Sequence, residues 1–174
     1  MKIWSDASAE QLAQSGIVGD RLEVGYESNY ERLLAQLAGC DLLYLPLAFH
    51  DSTSVTTESL QYAFPTKSLD YLVCGIPILV HCPSNFELSR FFTDQECAYV
   101  VNDNKPAAIA SWLNQWLNGD MPALHEGKRR AALGMFSQEE NKQLLWEAIA
   151  KCRRDRSQST RDRGHQRKEM SLPR

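Results

Sequence analysis

Apolar residues along the chain come in short clusters, and their spacing switches repeatedly between two periods. Compact runs that suit strands are KIWS at 2–5, Leu22-Glu23-Val24, DLLYLPLAF with Leu42 to Leu45 ahead of Pro46, Ile78-Leu79-Val80, and CAYVVND at 97–103. Such runs, bounded by Gly, Pro or Asp, fit buried strands. Helical spacing fills the intervals. Ala9 to Gln14 has helical composition and ends near Gly16. In YESNYERLLAQLAGCD, Ser28 or Asn29 caps a helix whose apolar face is Tyr30, Leu33, Leu34 and Leu37, with Gly39 as the stop. PSNFELSRFFTDQ predicts a helix capped by Ser84, with Glu87 completing a capping box and Phe86, Leu88, Phe91 and Phe92 as its apolar side. Lys105 to Asn118 carries Ile109, Trp112, Leu113, Trp116 and Leu117 on one side. A last helix is expected from Leu124 or Glu126 to about Cys152, broken near Gly134, with Leu144, Leu145, Ala148 and Ile149 buried in its second part.

Strand and helix therefore alternate along the chain. That order predicts an α/β fold, a Rossmann-like doubly wound parallel sheet with helices on both faces. HDSTSVTTESLQ, at 50–61, is rich in small hydroxyl residues and reads as a loop. It follows the carboxyl end of a strand, where open α/β sheets receive their ligands.

The next stretch, LQYAFPTKSLDYLVCGIPILVHC at 60–82, organises the rest. Pro65 suits the first turn of a helix. Leu69, Leu72 and Val73 give that helix an apolar face, Gly75 permits the left-handed stop, and Pro77 bars continuation into the strand that follows. Lys67 and Asp70 stand three residues apart near the helix front, on one side. A cation and an acid beside a helix N-terminus at a sheet edge suit a phosphate and a sugar hydroxyl. The plainer alternatives are a solvated Lys67–Asp70 pair and an acid that merely matches the helix dipole.

Composition narrows the class. With 174 residues and 43% hydrophobic content, the chain supports one domain with a core. Its apolar runs are too short for a membrane span, and MKIWSDASAEQ lacks the apolar core of a signal peptide, so the expected location is the cytoplasm, with a membrane surface left open. Cys40, Cys74, Cys82, Cys97 and Cys152 show no C-x-x-C pair, and His50, His81, His125 and His165 show no zinc spacing. Free thiols and no metal site are expected. From Lys151 onward there are nine Lys/Arg against three Asp/Glu; of the chain's 19 and 22, that leaves 10 and 19 in residues 1–150. The organisation expected is an acidic domain over 1–152 with a basic disordered tail over 153–174. An acidic body argues against nucleic acid as a partner.

FPTKSLDYLVCGIPILV resembles the C-terminal, nucleotide-sugar-binding half of GT-B glycosyltransferases, in particular the large retaining group whose run is P-[ST]-K-x-x-E-Y-L-x-x-G-x-P-[IV]-[LV]. DLLYLPLAF, AYVVND and Lys105–Asn118 resemble that group's neighbouring elements, so the likeness covers roughly residues 20–150. The resemblance implies a nucleotide-diphosphate sugar as the donor and metal-independent chemistry without a cofactor. It implies that Lys67 lies at the donor diphosphate with the backbone of Pro65, Thr66 and Lys67, and that Asp70 stands where the family has a ribose-binding glutamate. Two departures are plain: Asp70 is one methylene short, and Tyr62 stands where a partner acid is usual, with Glu58 close but out of register. His81, at a strand end, is a candidate to line the cleft or a satisfied, partly buried histidine. The glycine-rich donor loop, the acceptor domain and the opening strand of the donor half are not visible. Two function classes follow: a donor-binding domain that is incomplete without an acceptor-binding domain on another chain, or a non-catalytic partial Rossmann-like domain serving as an interaction module or a subunit of a split enzyme. A response-regulator domain is a weaker third, since Asp6 alone does not supply the clustered acids that it needs.

Overall fold

The computed structural model describes residues 2–4, 8–14, 19, 21–51 and 56–149; Cys152, Asp6 and the basic segment 153–174 lie outside them. The chain divides into two compact units, Met1–Arg129 and Arg130–Arg174. The first is α/β and alternates as the spacing predicts: β1 (Lys2–Trp4), α1 (Ala9–Gln14), β2 (Glu23–Gly25), α2 (Tyr30–Ala38), β3 (Leu43–Pro46), α3 (Thr57–Leu60), α4 (Lys67–Cys74), β4 (Ile78–His81), α5 (Glu87–Asp94), β5 (Tyr99–Val101) and α6 (Pro106–Leu117). All pairing among the described strands is parallel, and the fold is Rossmann-like. The described strands form two sheets, β1-β2 and β3-β4-β5, where the pattern suggested one. In the larger sheet Leu43 pairs with Ile78 and Leu79 with Tyr99, so β4 is the central strand. This is why Ile78, Leu79 and Val80 are all buried, as a strand covered on both faces must be.

Phe86, Leu88 and Phe92 of the α5 region complete the core with Leu72 of α4. Phe64, Phe91 and Phe92 form an aromatic cluster beside them, with Phe64 edge-on to Phe91 at 5.0 Å between centroids. On α6, Trp112 is buried, stacks on Trp116 and meets Tyr99, so this pair packs the helix onto β5.

Several local expectations change. α2 is capped by Asn29, whose side chain accepts the Arg32 N–H, while Tyr30 at its first position is 57% exposed and only Leu37 of its expected face is buried. The hydroxyl-rich loop contains α3, because Thr56 caps it by accepting the Ser59 N–H. α4 begins at Lys67 rather than Pro65; the Pro65 carbonyl accepts from the Ser68 N–H in the turn that leads into it. Ser68 takes the buried position on α4 and Val73 is exposed, because the 8-residue helix packs through Ser68 and Leu72. The capping box at Ser84 and Glu87 does not form: Phe86 holds the cap position, and the Glu87 carboxylate accepts instead from Arg90, 2.6 Å away. Leu117, expected on the packed side of α6, is exposed at the helix end.

In the chain's C-terminal part, α7 (Glu126–Gly134) ends at the expected break, and a further helix covers residues 138–149. Leu144 and Leu145 on it are exposed rather than buried, as is Trp146, and Ala148 is exposed too, so this helix presents apolar side chains to solvent. Among the described residues no helix is long and apolar enough to cross a membrane.

Candidate functional site

In a parallel sheet every helix that follows a strand starts near the carboxyl ends of the strands, so loops and helix N-termini collect along that edge. Here they are the segment after β3 with α3, the start of α4, the turn after β4, and Asn102 to Asn104 after β5. A cavity of about 310 Å³ opens among them, lined by Phe49, Thr57, Glu58 and Gln61 on one side and Pro83, Asn85 and Phe86 on the other. Its two walls are tied by the Glu87 N–H, which donates to the Gln61 carbonyl over 2.8 Å. Asp51 fixes the start of α3: one carboxylate oxygen accepts from the Thr57 N–H at 2.6 Å and from the Thr57 hydroxyl at 2.8 Å. Those two donors, the backbone one first, hold the Asp51 carboxyl below its ordinary range.

His81 ends β4 as a satisfied histidine. Its Nδ1 lies 2.7 Å from the Tyr44 hydroxyl and its Nε2 lies 3.0 Å from the Asp103 carbonyl. A carbonyl only accepts, so the Nε2–H donates to it, and Nδ1 is left to accept from the Tyr44 hydroxyl. Phe49 packs against it at 4.7 Å between ring centroids. Burial pushes the Tyr44 phenol up, which keeps it a donor. Farther along the same edge, Asn104 reaches His50 Nε2 at 2.6 Å, and the Asp103 carboxylate accepts the Lys105 N–H.

The other expected residues gather at α4. Thr66 holds the cap position in helical geometry, exposed and without a side-chain cap bond. The Ser68 and Leu69 N–H groups close turns onto Pro65 and Thr66. The N–H groups of Thr66 and Lys67 make no such bond among the described residues, and Lys67 is exposed with no ion pair there. The helix start thus keeps two backbone donors and one ammonium, the set that binds an anion. Asp70 does not pair with Lys67. Its Oδ1 accepts from the Tyr30 hydroxyl, 2.6 Å away across from α2.

Of the six expected side chains, Glu58 lines the cavity, His81 sits behind Phe49, and Pro65, Thr66, Lys67 and Asp70 stand at the start of α4. Tyr62, where the resembled family has an acid, is 71% exposed. Sequence reading missed Tyr30, Tyr44, Gln61 and Asn85. Tyr30 and Tyr44 read only as apolar members of periodic runs, and their hydroxyls carried no separate signal. Among the described residues no three His, Cys, Asp or Glu side chains gather as a metal site.

No family model matches the chain, and no curated protein matches it. Among solved structures, it is similar to Anabaena Alr3699/HepE, crystallised in complex with UDP, with a TM-score of 0.54 and 15% sequence identity. The match covers 82% of this chain and 35% of that one, so the chain spans about a third of its structural neighbour's length. The likeness is one of fold.

Proposed function

We propose that this chain is the nucleotide-diphosphate-sugar-binding part of a GT-B glycosyltransferase and that transfer also requires an acceptor-binding domain. The observation that carries the reading is the fold's likeness to a protein crystallised with UDP. Two features of this chain support it: the cavity at the carboxyl edge and the unpaired donors at the start of α4. In this reading the Thr66 and Lys67 N–H groups and the Lys67 ammonium meet the diphosphate, and Asp70 accepts from the ribose. Transfer leaves negative charge on the departing diphosphate. A helix N-terminus lowers that barrier because its N–H groups need no reorganisation as the charge develops, and the Lys67 ammonium adds positive charge beside it. No metal or cofactor enters the proposal.

Calorimetric titration of the full chain with UDP, GDP and their sugars tests it. The expected outcome is saturable binding of one nucleotide series, lost in Lys67→Ala with the fold intact. No binding at millimolar ligand by folded protein would overturn the reading for this chain.

A second reading, a non-catalytic partial domain that completes another chain, draws on the exposed Leu144, Leu145 and Trp146 and on the separation of the strands into a pair and a triple. An adjacent reading frame encoding an acceptor domain would separate a split enzyme from an interaction module.

A further inference from the structure

Tyr30 is more than half exposed, yet its hydroxyl donates to Asp70 Oδ1 at 2.6 Å across 40 residues of chain. An exposed polar pair of this kind adds little to stability, because water competes for both partners. Its main consequence is where the carboxylate points. An ionised aspartate offers two oxygens and about four acceptor sites, so one phenol leaves the second oxygen, Oδ2, able to accept.

The phenol is itself held in place. It is the first residue of α2, directly after the Asn29 cap, and the Cys74 thiol ties α4 to the Leu34 carbonyl of the same helix at 3.7 Å. The donor therefore reaches Asp70 from a packed helix rather than from a loop. The bond to Asp70, ahead of all other causes, raises the Tyr30 pKa, so the hydroxyl keeps its proton and remains a donor at neutral pH.

We propose that Tyr30 is a positioning residue: it fixes the Asp70 carboxylate so that Oδ2 faces a ribose diol, making up for the short aspartate side chain. The inference rests on the nucleotide reading above. Tyr30 touches neither sugar nor phosphate in it. It acts on the ligand only through Asp70.

The test compares UDP with 2′,3′-dideoxy-UDP, which keeps the base and the diphosphate and lacks both ribose hydroxyls. Dissociation constants are measured for the full wild-type chain, Tyr30→Phe and Asp70→Asn, with circular dichroism and thermal melting confirming each fold. Hydrogen bonds to a charged acceptor are worth roughly a tenfold or greater preference, so the wild-type chain should favour UDP by about that much. Tyr30→Phe should bring the preference to within about twofold while leaving dideoxy-UDP binding unchanged. Asp70→Asn should narrow the preference in the same way. A phenol that only fastens two helices together would move the melting temperature and leave the preference intact. An equal preference in Tyr30→Phe overturns the inference and leaves the nucleotide reading standing. So does tighter UDP binding by that variant, which would make Tyr30 a competitor for Asp70. A wild-type chain that binds both ligands equally overturns it as well, because Asp70 then meets no ribose. Absence of all UDP binding removes the nucleotide reading and this inference together.

Discussion

Arg129 Nη1 donates to the Leu72 carbonyl over 2.6 Å, and this bond from the first turn of α7 closes the C-terminal end of α4. The last carbonyls of a helix lack partners within it, and the helix dipole places negative charge there, so a guanidinium is well matched. The same guanidinium lies beside Gly75, where a Cβ would sit 3.2 Å from Arg129 Nη2, and Gly75 has φ +76°. Arg129→Ala should lower unfolding free energy by about 1.5–3 kcal/mol, the usual range for a charged hydrogen bond. Gly75→Ala should cost about 1–2 kcal/mol from its left-handed backbone alone. The two share a contact, so the double variant should lose less than the sum. Urea denaturation of the three variants measures this.

Asn102 joins the ends of β4 and β5. Its Nδ2 donates to the Cys82 carbonyl at 2.7 Å and to the Ser89 hydroxyl at 2.9 Å. Asn102→Asp should destabilise more than Asn102→Ala, because a carboxylate presents an acceptor to a carbonyl and cannot donate. The expected loss for Asn102→Ala is about 1–3 kcal/mol, since it leaves buried acceptors without a partner. A smaller loss in Asn102→Asp than in Asn102→Ala, read from denaturation midpoints, would show that this donor does not hold the turn.

Most of the fold was legible because its signals are local. Ile78-Leu79-Val80 between Pro77 and His81 can only be a covered strand, and Gly75 ahead of it marks the helix end. What sequence reading lost was decided by tertiary neighbours. Val73 and Ser68 sit on different sides of α4, and the helix turns Ser68 inward because Leu72 is the residue that fills the core beside it. Glu87 had the spacing of a capping box, but its N–H is taken by Gln61 and its carboxylate by Arg90. At the candidate site Lys67 and Asp70 were legible as helix-front charges. The Tyr30 hydroxyl that engages Asp70 was not, because no local pattern ties two residues 40 apart.

Ser68 is fully buried, and its hydroxyl has no hydrogen-bond partner among the described residues. A buried hydroxyl without a partner keeps its desolvation cost and gains nothing in return. Ser68→Ala removes that cost and adds no bulk, so it should stabilise the chain by about 1 kcal/mol. A midpoint that falls on this substitution would mean that the hydroxyl has a function in the folded state.

Cys82 and Cys97 give the chain an alkaline limit. Both are free and buried, and burial pushes each thiol up to about 11. In the unfolded chain a thiol ionises near roughly 8.5. Between those values the unfolded state has released protons that the folded state still holds, so stability falls as pH rises. Below the unfolded value both states are protonated and the thiols impose no slope. Denaturation midpoints should therefore show no thiol-dependent slope near neutral pH and should drop from about pH 9 towards 11. Burial also raises the Tyr44 and Tyr71 phenols, which add to the fall at the upper end. The double variant Cys82→Ala, Cys97→Ala isolates the share of these two thiols: its midpoint should start lower, from the two small cavities, and fall less steeply over the same interval. Equal slopes in the two proteins would place the alkaline transition on the tyrosines and on Cys74, whose thiol burial also raises.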